Sequence, residues 1–320
     1  MYRIGIDLGG TNIAAAIVNK DFKIVKKMSV PTDAERDAGL IMDDMAALCK
    51  SVCAEAGVDF SEIEAIGIAS PGVADHDKGV VVYACNLPFR KFPICAELGK
   101  RLGMTNIHVE NDANAAAWGE AVAGAARGTK NSVMITLGTG VGGGVIIDGK
   151  VFSGFNYAGT ELGHIVIDVG GRLCGCGRRG CWEAYSSATG LINMTKEKIE
   201  ECEKSGRKTA MVAIAEKYGK VNGRVAFDGL REGDEAAREV VEMYIDYLSS
   251  GLTSMINIFQ PQVLSIGGGI SGEGQFLVDL VFPFIDKERY GGDFIEKKTE
   301  IRIAELGNDA GIVGAAFLGI

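Results

Sequence analysis

Residues 2–18 run Tyr2-Arg-Ile-Gly-Ile-Asp7-Leu-Gly-Gly-Thr11-Asn-Ile-Ala-Ala-Ala-Ile-Val18. A β-branched run, a turn built on two glycines and a second apolar run predict a strand, a tight turn and a returning strand. The pattern comes back at Val133-Met-Ile-Thr136-Leu-Gly-Thr-Gly140-Val-Gly-Gly-Gly144-Val-Ile-Ile147, with Leu137-Gly138 in the place of Leu8-Gly9. Two further echoes follow in the same order. Ile66-Gly-Ile-Ala-Ser70-Pro-Gly72 and Val263-Leu-Ser-Ile-Gly267-Gly-Gly-Ile-Ser271 are apolar strands that end in glycine loops. Glu110-Asn111-Asp112-Ala113 and Gly307-Asn308-Asp309-Ala310 each open a segment rich in alanine and glycine. Three echoes in one order predict two similar α/β lobes with a cleft between them. The expected division is residues 1–117 with 307–320 as a smaller lobe, and 118–306 as a larger one.

A chain of 320 residues with 47% hydrophobic content is long enough for two domains and a sizeable core. Its 42 acidic and 33 basic residues leave a net charge of −9, and no run of five basic residues occurs, so nucleic acid would meet the wrong field. The first residues lack the apolar centre of a signal peptide, which predicts a cytoplasmic protein. An uncharged run from Tyr247 to Gly272 raises the question of a membrane span, but Asn257, Gln260, Pro261, Gln262 and three consecutive glycines interrupt it. It reads as a buried helix, a turn and a buried strand, with no membrane partner. Leu40 to Ala56 and Asp234 to Ile258 carry apolar residues at helical spacing, and Thr195 to Tyr218, rich in Lys and Glu, reads as a solvated helical face.

Between Glu161 and Glu183 the periodicity disappears and potential metal ligands collect. Cys174, Cys176, Cys181 and, ten residues upstream, His164 make the Cys3His set of a closed structural zinc site. A disulfide with a spare thiol is the other reading, and an intracellular chain favours metal at these spacings. Four soft donors leave the flanking Glu161 and Glu183 to face a ligand. The remaining cysteines (Cys49, Cys53, Cys85, Cys95, Cys202) read mainly as core packing.

Gly138-Thr-Gly140-Val-Gly-Gly143 matches the dinucleotide pattern G-x-G-x-x-G, which requires a helix to follow. Val145-Ile-Ile147 and Asp148-Gly149 instead predict a strand and a hairpin turn, so a Rossmann site is set aside. No Walker loop occurs. What remains is a pair of turns, Gly9-Gly10-Thr11 and Gly138-Thr139-Gly140, whose backbone N–H groups can come close to phosphate oxygens. Asp7 stands beside the first turn, placed to hold Mg2+ through water. Gly267-Gly268-Gly269 follows a buried strand and leaves room for a flat ring. Asn111-Asp112 ends the apolar strand Ile107-His-Val109 and begins a helix. Asp112 is therefore either a base for an acceptor hydroxyl or a helix cap, and both readings are open on sequence alone.

Glu161-Leu-Gly-His164 followed by Cys174-Gly-Cys-Gly-Arg-Arg-Gly-Cys181-Trp-Glu183 resembles the signature of the ROK family of sugar kinases and sugar-responsive repressors, in its bacterial glucokinase branch. The resemblance extends from Met1 to Ile320. It implies an α/β, two-lobed actin-like ATPase (ribonuclease H-like) fold with a cleft between the lobes, which agrees with the three echoes. It further implies ATP-dependent phosphorylation of a hexose, glucose to glucose 6-phosphate, with ATP, Mg2+ and structural Zn2+, in a homodimer. By the same resemblance Asp112 is the catalytic base, and Asn86, Asn111, Asp112, Glu161, His164 and Glu183 surround the hexose. Gly267, Gly268 and Gly269 lie beside the adenosine. His164 would give one ring nitrogen to zinc and the other to a sugar hydroxyl. Many members have Ala-Gly where this chain has Gly159-Thr160 and Trp where it has Phe89. Both departures border the expected pocket and bear on which sugar is taken, N-acetylmannosamine, N-acetylglucosamine, mannose and fructose being the alternatives to glucose. The repressors carry a DNA-binding helix-turn-helix ahead of the first glycine turn, and here six residues precede Asp7.

Overall fold

The computed structural model describes residues 2–320. The chain begins with strands β1 (Tyr2–Leu8), β2 (Asn12–Asn19) and β3 (Ile24–Pro31), then helix α1 (Ala38–Ala56) and β4 (Ile63–Ser70). Three short strands, β5 (Val73–Asp75), β6 (Val80–Tyr83) and β7 (Arg90–Phe92), precede α2 (Ile94–Leu102), β8 (Ile107–Asn111) and α3 (Asp112–Ala123). Next come β9 (Ser132–Leu137), β10 (Val141–Ile147), β11 (Lys150–Val151), α4 (Glu183–Ser186), α5 (Ala188–Ser205), α6 (Ala210–Lys217), α7 (Val225–Arg231) and α8 (Glu235–Phe259). The chain closes with β12 (Val263–Gly267), α9 (Gln275–Glu288), β13 (Glu300–Ile303) and α10 (Ala310–Ala316).

The expected echoes become two five-stranded sheets of one topology. The first has the order β3-β2-β1-β4-β8 and the second β11-β10-β9-β12-β13, so each set places its third, second, first, fourth and fifth strands in that sequence. In the first sheet β1, β2 and β3 pair antiparallel, while β1, β4 and β8 pair parallel. The segment from Val145 continues as β10 and turns through Asp148 and Gly149, both at positive φ, into β11. That conformation is the primed hairpin turn for which an Asp-Gly pair is suited, and no helix follows the glycine pattern.

By contacts the chain divides into two compact units. One comprises residues 1–134, 144–160 and 304–320; the other comprises 135–143 and 161–303. The first unit thus takes in all of α3, where the sequence reading set the boundary at residue 117. The reason is packing: Gly119 on α3 lies against the backbone of Ala310, and Gly314 on α10 lies against that of Ala115.

Helix α10 also covers the first sheet. Gly5 and Gly67 are register partners on β1 and β4, and a Cβ on either would collide with the carbonyl of Ile312 or Ala315. Glycine inside a strand costs backbone entropy and here permits this close approach. A core cluster of Ile4, Ile6, Ile13, Ile17, Met42, Met45, Val52, Ile66, Ile68, Phe89 and Leu98, with Cys49 and Cys53 among its members, joins the sheet to α1 and α2. Asp37 caps α1 through the N–H of Gly39.

In the second unit α8 is the central helix, with Val240, Tyr244, Leu248, Leu252 and Met255 buried along it. The expected single solvated segment from Thr195 to Tyr218 is two helices, because Gly206 at positive φ ends α5, and Met211 and Ile214 of α6 are buried. Among the described residues no helix is long and apolar enough to cross a membrane.

Candidate active site

In the first unit the tip between β1 and β2 is a tight turn in which the N–H of Gly9 donates to the carbonyl of Asn12 at 3.0 Å. Thr32 holds it from outside, its hydroxyl donating to Gly9 O at 2.6 Å and its N–H to Thr11 O at 2.8 Å. These bonds occupy the carbonyls of Gly9, Thr11 and Asn12, and Thr11 is exposed. Burial pushes the carboxyl of Asp7 up, opposed by the Lys27 ammonium. Such a carboxylate is stabilised by a cation. Asn86 packs against Gly10, whose Cβ, if present, would lie 3.2 Å from that of Asn86.

The two readings of Asn111-Asp112 separate at the start of α3. Asn111 is the cap: its Oδ1 accepts from the N–H groups of Ala113 at 2.9 Å and Asn114 at 3.1 Å, and its Nδ2 donates to Gly72 O at 2.9 Å. Asp112 occupies the first helical position and is exposed, with Oδ1 accepting from Ala113 N–H at 2.8 Å. A negative side chain is favoured in that first turn, so the site holds a carboxylate without needing it as a cap. Nearby, Thr160 lies at φ 66°, unusual for a β-branched residue, and its hydroxyl donates to Asn114 Oδ1 at 3.1 Å. Glycine would take this conformation without strain.

Phe89 is fully buried and stacks on Phe92 with ring centroids 4.8 Å apart, so it belongs to the core of the first unit.

In the second unit the turn Gly138-Thr139-Gly140 is clamped by the segment around α4 and α5. Ala188 N–H donates to Gly138 O at 2.8 Å, the Thr189 hydroxyl to Thr139 O at 2.7 Å, and Val141 N–H to Glu183 Oε2 at 3.0 Å. Gly268, at φ 83°, lies against Leu137, where a Cβ would come within 2.6 Å of the backbone, so the 267–269 loop and the 138–140 turn are neighbours. A cavity of about 360 Å³ adjoins the turn, lined by Thr139, Cys174, Glu183, Ser187, Thr189 and Asn193 among others.

The ligand atoms of His164, Cys174, Cys176 and Cys181 lie within 4.8 Å of one another. Cys174 Sγ is 3.7 Å from His164 Nδ1, and Cys176 Sγ is 3.7 Å from Cys181 Sγ. Tetrahedral coordination with metal–sulfur bonds of about 2.3 Å has ligand–ligand edges of about 3.8 Å, so the residues fit a zinc ion. Burial pushes the Cys174 thiol up to about 12, while the Arg178 N–H holds Cys176 low. Backbone pairing of Val166 with Cys181 and Leu173 with Arg179 closes the knot, and Trp182 anchors it, fully buried against Gly251 with Nε1 donating to Tyr247 O at 3.1 Å. Because Nδ1 of His164 faces the cysteines, Nε2 is directed away from them. Glu161 is exposed at the start of the short helical turn Leu162–His164.

Glu183 is more engaged than its flanking position implied. Besides accepting from Val141, it lies with Oε1 3.4 Å from Cys174 Sγ, a hydrogen bond that needs the thiol proton and is lost when Cys174 binds a metal as thiolate. With Cys174 as a thiol, Glu183 ties the cysteine knot to the glycine turn. The roles of Thr32, Thr189 and Glu183 in holding turns have no local sequence signature, since each partner lies 21 to 50 positions away.

The ROK family model matches residues 3–320. The chain belongs to the ROK family. It is 35% identical over 317 residues to a glucokinase of Halalkalibacterium halodurans, covering 98% of this chain and 94% of the relative. An N-acetylmannosamine kinase of Salmonella typhi is 29% identical over 320 residues, covering 99% and 98%. Among solved structures, a ROK family glucokinase from Streptomyces griseus in complex with glucose and AMPPNP superposes with a TM-score of 0.79 at 33% identity, covering 99% of both chains. With ROK relatives of this likeness, the α/β fold is the two-lobed actin-like ATPase fold of these kinases.

Proposed function

We propose that the protein transfers the γ-phosphoryl group of ATP to a hexose, glucose in the first place, yielding the hexose 6-phosphate. The observation that carries this reading is the corner at Asn111-Asp112. There the neighbouring asparagine takes over the capping, and Asp112 stands exposed at a helix start, in a chain similar over its whole length to a kinase that holds glucose and a nucleotide.

Phosphoryl transfer needs a group that orients the attacking hydroxyl and accepts its proton, together with dipoles that meet the charge on the phosphates. Asp112 accepts the proton. Asn86, Asn111, Glu161, His164 through Nε2, and Glu183 hold the hydroxyls of the ring. The turns at Gly9, Gly10 and Thr11 and at Gly138, Thr139 and Gly140 turn N–H groups toward phosphate oxygens, and Gly267, Gly268 and Gly269 flank the adenosine. Asp7 is the residue that would hold Mg2+, and His164, Cys174, Cys176 and Cys181 would hold structural Zn2+, which stiffens the segment carrying Glu161 and Glu183. We place the enzyme in the cytoplasm as a homodimer.

N-acetylmannosamine is the second acceptor to consider, favoured by the likeness to kinases of that sugar. An assay of ADP release over glucose, mannose, fructose, N-acetylglucosamine and N-acetylmannosamine tests the assignment. Turnover highest with glucose is expected. Turnover highest with N-acetylmannosamine transfers the assignment to that sugar, and ADP release with none of the five contradicts it.

A further inference from the structure

Glu110, immediately before Asn111-Asp112, takes no part in the reaction as proposed, yet it is 3% exposed and fully engaged. Its Oε1 accepts from Asn111 N–H at 2.8 Å and from Asn114 Nδ2 at 3.1 Å, and its Oε2 lies 2.9 Å from Nδ1 of His76. A carboxylate buried this deeply is costly unless its oxygens are met, so the three partners fix Glu110 and Glu110 in turn fixes them. Two of those partners shape the corner where Asp112 stands: the Asn111 backbone ends β8, and Asn114 lies in the first turn of α3. His76 reaches Glu110 from the loop after β5. Its ring meets Tyr157 edge-on with centroids 4.9 Å apart, and the Tyr157 hydroxyl donates to Asp77 Oδ2 at 2.5 Å.

We propose that His76 and Glu110 are positioning residues for Asp112: the pair holds the β8–α3 corner in one conformation and so presents the Asp112 carboxylate in one place. The inference rests on the reading of Asp112 as the base of a sugar kinase. Neither residue touches reacting atoms. The His76 side chain is 36% exposed, and solvent screening leaves a pair of that kind little weight in global stability. What it supplies is orientation, and small displacements of a catalytic group reduce turnover strongly.

His76 also lines a cavity of about 410 Å³ together with Asp77, His108, Glu110, Trp118 and Lys150, large enough to admit a free imidazole. This permits a test that a purely structural role would fail. In His76→Ala, assayed where the variant is fully folded, kcat should fall by about tenfold or more, with the KM for ATP little changed. His76→Asn, which can offer an amide N–H near the place of Nδ1, should keep most of the turnover, and added imidazole should restore His76→Ala. Unchanged turnover in His76→Ala, or a loss that neither asparagine nor imidazole repairs, overturns the proposal. A parent enzyme that phosphorylates no sugar overturns the functional reading and this inference together, whereas an active parent with an indifferent His76→Ala overturns the inference alone.

Discussion

Oε2 of Glu183 accepts the N–H of Val141 at 3.0 Å, so a residue two positions past the last knot cysteine holds the strand that leaves the Gly138-Thr139-Gly140 turn. If Glu183 served only the sugar, its removal would leave nucleotide affinity alone. Glu183→Ala should instead raise the KM for ATP as well as that for glucose, the former by roughly tenfold or more, the scale of one lost hydrogen bond to a charged group. Steady-state kinetics with each substrate varied in turn decides this, and an unmoved KM for ATP rules the link out.

The metal is tested directly. Purified protein should contain about one zinc per chain, and Cys176→Ala should lose both metal and activity, because the knot orders Glu161, His164 and Glu183. Elemental analysis that finds no zinc in active enzyme contradicts the assignment.

The same geometry sets a pH dependence of stability at His76. The hydrogen bond to Glu110 first, and then the charges of Glu110, Asp77 and Asp75, raise the histidine above its usual range against the opposing effect of burial. A group raised in the folded state contributes stability that is fully present below its unfolded value, about 6.5, and is lost as pH rises through the folded value. The stability difference between the parent and His76→Ala should therefore be largest near about pH 6 and shrink toward about pH 9. Tyr157 packs on the same ring, and its bond to Asp77, then burial, raise it to about 12, beyond this window. Urea unfolding of both proteins across that range measures the effect, and a difference that widens with pH contradicts it.

The parts of this fold that repeat locally were legible in the sequence. The echo of Tyr2–Val18 at Val133–Ile147 became two sheets of one strand order, because glycine turns between apolar runs dictate hairpins whatever surrounds them. The cysteine knot was legible because its ligands lie within 18 residues of one another and converge as expected. What stayed hidden depends on partners far apart in the chain. Gly5 and Gly67 read as interruptions of β-branched strands, and their purpose is visible only with α10 laid across them. The stacking of Phe89 on Phe92 within the core has no signature in the local pattern. Glu110 and His76, 34 positions apart, share no pattern that a single sequence displays.

The central claim is that Asp112 accepts the proton of the attacking hydroxyl. Asparagine keeps the size and part of the hydrogen bonding of aspartate but cannot take that proton, and Asn111 keeps the helix capped in either case. The most direct measurement is the turnover of Asp112→Asn beside its glucose affinity by isothermal titration. A kcat lower by roughly 10²-fold or more, with glucose binding changed by only a few-fold, is the predicted result. Near-normal turnover in a variant that still binds glucose would contradict it and move the search for the base to Glu161 and Glu183.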